Sequence, residues 1–246
     1  MRIEVLKKHC RRRFSSPYTN RISWNRILLP GLTALDAKLG QSKQVRKVAP
    51  IKLVSTGGFV AVTYFGNRET THDIDCMIDP QLSNPKKINP RLHEAIDSVS
   101  EDFDFIHDWM NTLIDAFIDQ GFAKTQLFHD SIQQNVVLWR GENLVVYAAD
   151  WGWSLGKKLK RIVRLKKPTD ISDAVELVKR LVDSKDGRQA DPREVLKTFS
   201  TDSPHPNEDE AFDIIAAGFQ EKYGAVEIPS TSALEDQDGA QSGSCG

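Results

Sequence analysis

The chain has 246 residues, 39% hydrophobic and 27% charged, with five Trp and eleven Phe, enough for one ordinary domain with extensions or for two small ones. Its net charge of -1 conceals a gradient, since residues 1–50 carry 12 Lys and Arg against 2 Asp and Glu, whereas residues 201–246 carry 1 against 10. Three dispersed cysteines, Cys10, Cys76 and Cys245, exclude a disulfide framework, and no run approaches the roughly 18 apolar residues of a membrane span; an intracellular protein of cytoplasm or nucleus, with no membrane, is expected.

Residues 1–48 read as a basic N-terminal extension. Its cluster Lys7-Lys8-His9-Cys10-Arg11-Arg12-Arg13 suits a nuclear-import signal, a nucleic-acid patch or an organelle presequence. No apolar segment follows these charges as it would in a secretory signal. The opposite charges of the two ends suit mutual attraction, a basic arm for an anionic partner, or two solvated tails. Leu32, Leu35 and Leu39 follow Pro30 at helical spacing, predicting a helix over 29–39 with Gly40 as its stop.

The first core strand is predicted at 51–54, an apolar, largely β-branched run that leads into Ser55-Thr56-Gly57-Gly58. Adjacent glycines let a backbone turn sharply and approach a ligand, because no Cβ intervenes. Residues 59–65 suit a buried helix, and a second strand then carries His72-Asp73-Ile74-Asp75-Cys76. Side chains two apart on a strand share a face, so Asp73 and Asp75 come together beside the glycine turn if the two strands are neighbours. Their mutual repulsion is relieved by a hard cation such as magnesium, and a phosphate-cradling turn beside such a pair is equipment for metal-assisted phosphoryl chemistry. His72 suits a metal ligand, a base or a polar residue at a strand start. Cys76 falls on the opposite face as a small buried hydrophobe.

Pro80, Pro85 and Pro90 predict a loop, followed by a helix over 91–99. Ile106, Trp109, Met110, Leu113, Ile114, Phe117 and Ile118 form an apolar stripe that predicts a helix ended by Gly121, with Asp108, Asn111, Asp115 and Asp119 on its solvated side. Strands at 135–139 and 144–149, joined by Arg140-Gly141-Glu142-Asn143, predict a hairpin. Trp151 and Trp153 then suit either core packing or stacking against a base. A basic helix over 154–165 follows, with a face for phosphates, for solvent or for an acidic segment. Another helix, capped near Asp170, runs to 181, and two more are predicted over 191–200 and 208–223. Residues 224–246 have the composition of a disordered tail. The fold class expected is α+β: a mixed sheet with helices on one side, a helical C-terminal part and flexible termini.

Gly57-Gly58 after an apolar strand, an intervening helix, and Asp73-Ile74-Asp75 on the next strand resemble the nucleotidyltransferase (polymerase-beta-like) superfamily. The likeness is to its toxin-antitoxin and aminoglycoside-nucleotidyltransferase branches, supported by Arg68 and Thr71 before the acids, by Lys158-Leu159-Lys160-Arg161, and by the acidic helix from Asp170. It covers about residues 50–182, implying a nucleotidyltransferase-like domain at 49–182 with additional helices at 183–223. The resemblance implies that Gly57 and Gly58 hold nucleotide phosphates through backbone N–H groups. It implies that Asp73 and Asp75 bind one or two magnesium ions and act in catalysis, and that Lys158, or Lys157, neutralises phosphate charge.

Active members of the superfamily carry a third carboxylate on a later strand. Here Gln133-Gln134-Asn135-Val136-Val137-Leu138 offers none. Asp130 before the run, Asp150 after the next strand and the amide of Asn135 are the candidate substitutes, and an amide ligates a metal but is no general base. The expected function is magnesium-dependent transfer of a nucleoside monophosphate from NTP to a hydroxyl of a small molecule, a protein side chain or an RNA end. The alternative is a catalytically degenerate member that binds nucleotide or a partner. A third reading is nucleic-acid binding through the basic N-terminus.

Overall fold

A computed structural model describes residues 22–23, 28–112, 114, 118, 122–184 and 208–224. The basic cluster at 7–13, Gly121, the predicted helix at 191–200 and the tail from 225 lie outside the described residues. The chain divides into two compact units, Met1–Ser154 and Leu155–Gly246, whereas the sequence suggested divisions near 48 and 182. No helix among the described residues is long and apolar enough to cross a membrane.

The first unit is built on a five-stranded mixed sheet of order β5-β4-β2-β7-β6. Its strands are β2 (Ile51–Ser55), β4 (Ile74–Ile78), β5 (Met110–Asn111), β6 (Val137–Arg140) and β7 (Leu144–Ala148). The central β2 runs antiparallel to β4 and parallel to β7, and β5 lies parallel to β4. The predicted hairpin is present as β6 and β7. A separate ribbon pairs β1 (Ile22–Ser23) with β3 (Thr70–Thr71).

Alternation along the strands sends side chains to two cores. Ile51, Leu53, Ile74, Cys76, Leu144 and Val146 face α1 (Leu29–Leu39) and α3 (Pro85–Phe103). Val54, Met77, Val145 and Tyr147 face α4 (Phe122–Gln134), which contributes Leu127 and Phe128. Helices therefore cover both faces, not the one expected, because α4 was not anticipated. Asp36 of α1 also ties down the hairpin: its carboxylate accepts the backbone N–H groups of Asn143 and Leu144 at 2.7 and 2.9 Å.

Three predicted elements are corrected. The loop through Pro85 and Pro90 is instead helical: Pro85 opens α3, where its missing N–H costs nothing, and Pro90 lies inside the helix. The predicted helix over 106–118 contains β5. Of its described apolar residues, Trp109 and Met110 enter the first core while Ile114 and Ile118 enter the second, and Leu113 and Phe117 lie outside the described residues. The strand at 135–139 begins only at Val137, because Gln133 and Gln134 end α4 and Asn135 follows with a positive φ of 56°, a residue type suited to the left-handed end of a helix.

The second unit takes the chain from Leu155 onward, including most of α5 (Trp151–Leu165), then α6 (Pro168–Asp183) and α7 (Glu208–Tyr223). Ala174, Val175, Leu177 and Val178 of α6, and Ala211, Phe212, Ile215 and Phe219 of α7, are buried. The helical C-terminal part expected from the sequence is therefore present, and the fold is α+β.

Candidate functional site: a glycine turn facing two carboxylates

β2 ends at Ser55, and the chain turns through Thr56 and Gly57. Gly57 has φ +73° and ψ -134°, a backbone conformation that side-chain-bearing residues rarely adopt. Gly58 is required for a different reason, since a Cβ placed on it would lie 2.1 Å from Thr71 Oγ1. The helix predicted over 59–65 is three α-helical residues, α2 (Gly58–Val60), that widen into a π-turn over Ala61–Phe65.

Antiparallel pairing brings β4 to this turn. Ser55 lies opposite Cys76, the Ser55 hydroxyl donates to the Asp75 carbonyl at 2.7 Å, and a Cβ on Gly57 would lie 3.8 Å from Asp75 Oδ2. Asp73 stands one residue before the strand, with the Thr71 hydroxyl donating to its carbonyl at 3.2 Å. The structure thus brings together Gly57, Gly58, Asp73 and Asp75. His72 is exposed beside them, while Cys76 is buried on the other face, its thiol donating to the Asn111 carbonyl at 3.2 Å.

The group next to the pair is one that the sequence did not single out. β5 places Asn111 opposite Asp75, and Asn111 Nδ2 donates to Asp73 Oδ2 at 3.4 Å. The Asp73 carboxyl is pushed above the ordinary carboxylate range, first by burial and then by the charges of Asp75 and Asp108. The His72 charge and the Asn111 hydrogen bond oppose this. Two crowded carboxylates without a Lys or Arg partner among the described residues form an oxygen-donor set that a hard divalent cation suits. The signal for Asn111 and Asp108 was present but ambiguous, because their positions in an apolar run also fit the polar side of a helix.

The proposed substitutes for a third carboxylate have other tasks. Asp130 lies on α4 and accepts from Gln126 Nε2 at 2.7 Å. Asp150 immediately precedes α5, and its Oδ1 accepts the Trp153 N–H at 2.8 Å. Asn135 follows α4 in a turn and is not a strand residue. Among the described residues, no three His, Cys, Asp or Glu side chains form a group able to hold a metal ion.

Lys158 belongs to the second unit. Its ammonium lies 2.8 Å from Asp170 Oδ1 and 2.6 Å from Asp173 Oδ2, with all three side chains nearly buried, and Arg161 Nε reaches Asp170 Oδ2 at 3.2 Å. A phosphate would have to compete with two buried carboxylates for this cation, so its evident work is to neutralise them.

No curated protein and no solved structure matches the chain. Residues 33–225 match the family described as Domain of unknown function (DUF7582), and the chain belongs to that family.

Proposed function

We propose that the chain is a nucleotidyltransferase-type protein that transfers a nucleoside monophosphate from a magnesium-bound NTP to a hydroxyl acceptor. The observation that carries this reading is the approach of Asp75 Oδ2 to within 3.8 Å of the Cβ position of Gly57. A glycine turn approached by the Asp75 carboxylate, with Asp73 two residues before it, offers a place for a triphosphate and its cation. Backbone N–H groups of the turn would receive phosphate oxygens, and Asp73 and Asp75 would hold the cation. When bound, magnesium neutralises phosphate charge and orients the reacting oxygens. Partial burial makes the Asp73 charge more costly in the free protein than that of an exposed carboxylate, a cost that a bound cation would offset.

Asn111 favours a second reading, nucleotide binding without turnover. It places an amide beside Asp73, and an amide accepts no proton at neutral pH. Asp108 also acts on Asp73 through its charge, which makes it a further acid to test in a base role.

The test is incubation with each α-labelled NTP and magnesium, using wild type and Asp73→Ala/Asp75→Ala, with candidate hydroxyl acceptors and the chain itself. Magnesium-dependent incorporation by wild type alone supports transfer. Equal incorporation by both proteins removes the pair from the mechanism. Saturable nucleotide binding without incorporation selects the second reading.

A further inference from the structure

We propose that the acidic stretch Leu234-Glu235-Asp236-Gln237-Asp238 docks on the basic surface at the end of α5, made of Lys160, Arg164, Leu165 and Lys167. The basic helix suited phosphates, solvent or an acidic segment, and the structure sorts its cations by what they already hold. Lys158 is held by Asp170 and Asp173, Arg161 Nε by Asp170, and Lys166 by Glu210 at 2.5 Å. Lys160, Arg164 and Lys167 are exposed, and their side chains have no hydrogen bond or ion pair among the described residues. Lys160 and Arg164 stand one helical turn apart on one face, and Lys167 follows in the short connection to α6. Leu165, in the same stretch, is 57% exposed. Basic side chains also offset the dipole at a helix C-terminus, and a lone exposed Leu is ordinary. Three cations with nothing to hold around an exposed Leu form a surface complementary to an acidic segment that carries its own apolar residue.

The chain itself supplies such a segment. Residues 225–246 carry Glu227, Glu235, Asp236 and Asp238 and no Lys, Arg or His, and the last three acids directly follow Leu234. The reach is set by α6 and α7, which lie side by side and run the same way. Lys166, just before α6, meets Glu210 near the start of α7. Further along, a Cβ on Gly218 would lie 3.1 Å from Val175 Cγ2. At the end of α7, Lys222 and Tyr223 both donate to Glu176 Oε1. Gly224 therefore stands almost the length of α7 from Lys166, about 20 Å at the usual helical rise. About a dozen residues lead from Gly224 to Glu235 and Asp236, and a coil of that length has an r.m.s. end-to-end distance of about 20 Å. A linker whose r.m.s. length matches its span gives the highest effective concentration, so surface ion pairs too weak to hold two molecules together act here within one. Glu227, three residues beyond Gly224, reaches no further than about 10 Å and takes no part.

The test is carbodiimide crosslinking of the full chain, which joins a carboxylate directly to an amine, with the linked peptides identified by mass spectrometry. The expected result is links from Glu235, Asp236 or Asp238 to Lys160 and Lys167, falling severalfold between about 50 mM and about 500 mM salt, and none from Glu227. Arg164→Gln/Leu165→Ser keeps both lysines and changes only exposed residues; in this variant, with folding checked by circular dichroism, the links should fall roughly threefold or more. Links spread evenly over the exposed lysines of the chain overturn the proposal, as do links that join these acids to Lys7 and Lys8 instead. Links between isotopically distinct copies in a mixed sample give the surface to a second molecule and overturn it. A surface that forms no such links, and binds a single-stranded oligonucleotide equally in wild type and in Glu235→Gln/Asp236→Asn/Asp238→Asn, belongs to nucleic acid and overturns it too.

Discussion

The chain holds two pairs of neighbouring aspartates, and they live in opposite circumstances. Asp170 and Asp173 are buried in the second unit, and Lys158 lies within 2.8 Å of both. Asp73 and Asp75 are half-buried in the first unit, where the neutral amide of Asn111 donates to Asp73. One pair brings its own cation, so its chemistry is complete within the fold. The other is assembled by β4 and the glycine turn, with no Lys or Arg among the described residues in an ion pair with it. Acid pairs that look alike in sequence differ here in whether a cation is folded in beside them.

The largest expected effect comes from removing that internal cation. Lys158→Met leaves two buried carboxylates with only the half-exposed Arg161 on Asp170, and loss of one partner of a buried pair costs about 3–5 kcal/mol. Urea unfolding followed by far-ultraviolet circular dichroism measures it; a change below about 1 kcal/mol would mean that the network is more solvated than its burial implies.

Gly58→Ala tests the other side at the turn. The added methyl meets Thr71 Oγ1, so a destabilisation of about 1–3 kcal/mol is expected. Thr71→Ala in the same chain should return part of it, and a double-mutant cycle reads the coupling. Strict additivity of the two changes would show that the clash is relieved elsewhere.

Smaller, and opposite in sign to Lys158→Met, is the effect of Asp73→Asn without metal. Because the folded-state pKa of Asp73 is raised, its contribution to stability is complete below the ordinary carboxylate pKa. That contribution is lost as pH rises through the folded value. At neutral pH the amide should therefore leave stability unchanged or slightly higher, a difference that shrinks on acidification. A clear loss at neutral pH would reveal a compensating cation inside the fold.

The subtlest effect is spectroscopic. Burial and the hydrogen bond to Glu176 push the Tyr223 hydroxyl up to about 12, with Oη 2.7 Å from Glu176 Oε1. Its contribution is present below pH 10 and is lost as pH rises through the folded value. Ultraviolet titration of wild type minus Tyr223→Phe should show this late ionisation, and Glu176→Gln should move it down. A difference spectrum centred near pH 10 in wild type would contradict the hydrogen-bonded geometry.

The glycine turn and the acid pair were legible because each is local: two glycines after an apolar strand, and acids two apart on the next. The helices α1 and α7 were legible from their spacing and bounds. β5 was not, since two residues of strand cannot impose a period on an apolar run that also fits a helix. With β5 went Asn111 and Asp108, whose place beside Asp73 depends on strand pairing across 36 positions of sequence. α4 was missed because few of its residues are apolar, and Asn135 reads equally as a strand residue or as the left-handed end of a helix. Lys158 was legible as a cation on a basic helix. Its partners lie 12 and 15 residues further on, where charge pattern alone does not separate an internal pair from a phosphate contact.

The most direct measurement of the central claim is titration of magnesium-ATP into wild type and into Asp73→Asn/Asp75→Asn, by calorimetry, with thermal unfolding of both proteins alongside. Saturable, magnesium-dependent binding to wild type, lost in a variant that unfolds no earlier, is the predicted result. Binding that survives in the variant, or its absence from the folded wild type, would contradict the assignment of Asp73 and Asp75 as the acids awaiting a cation.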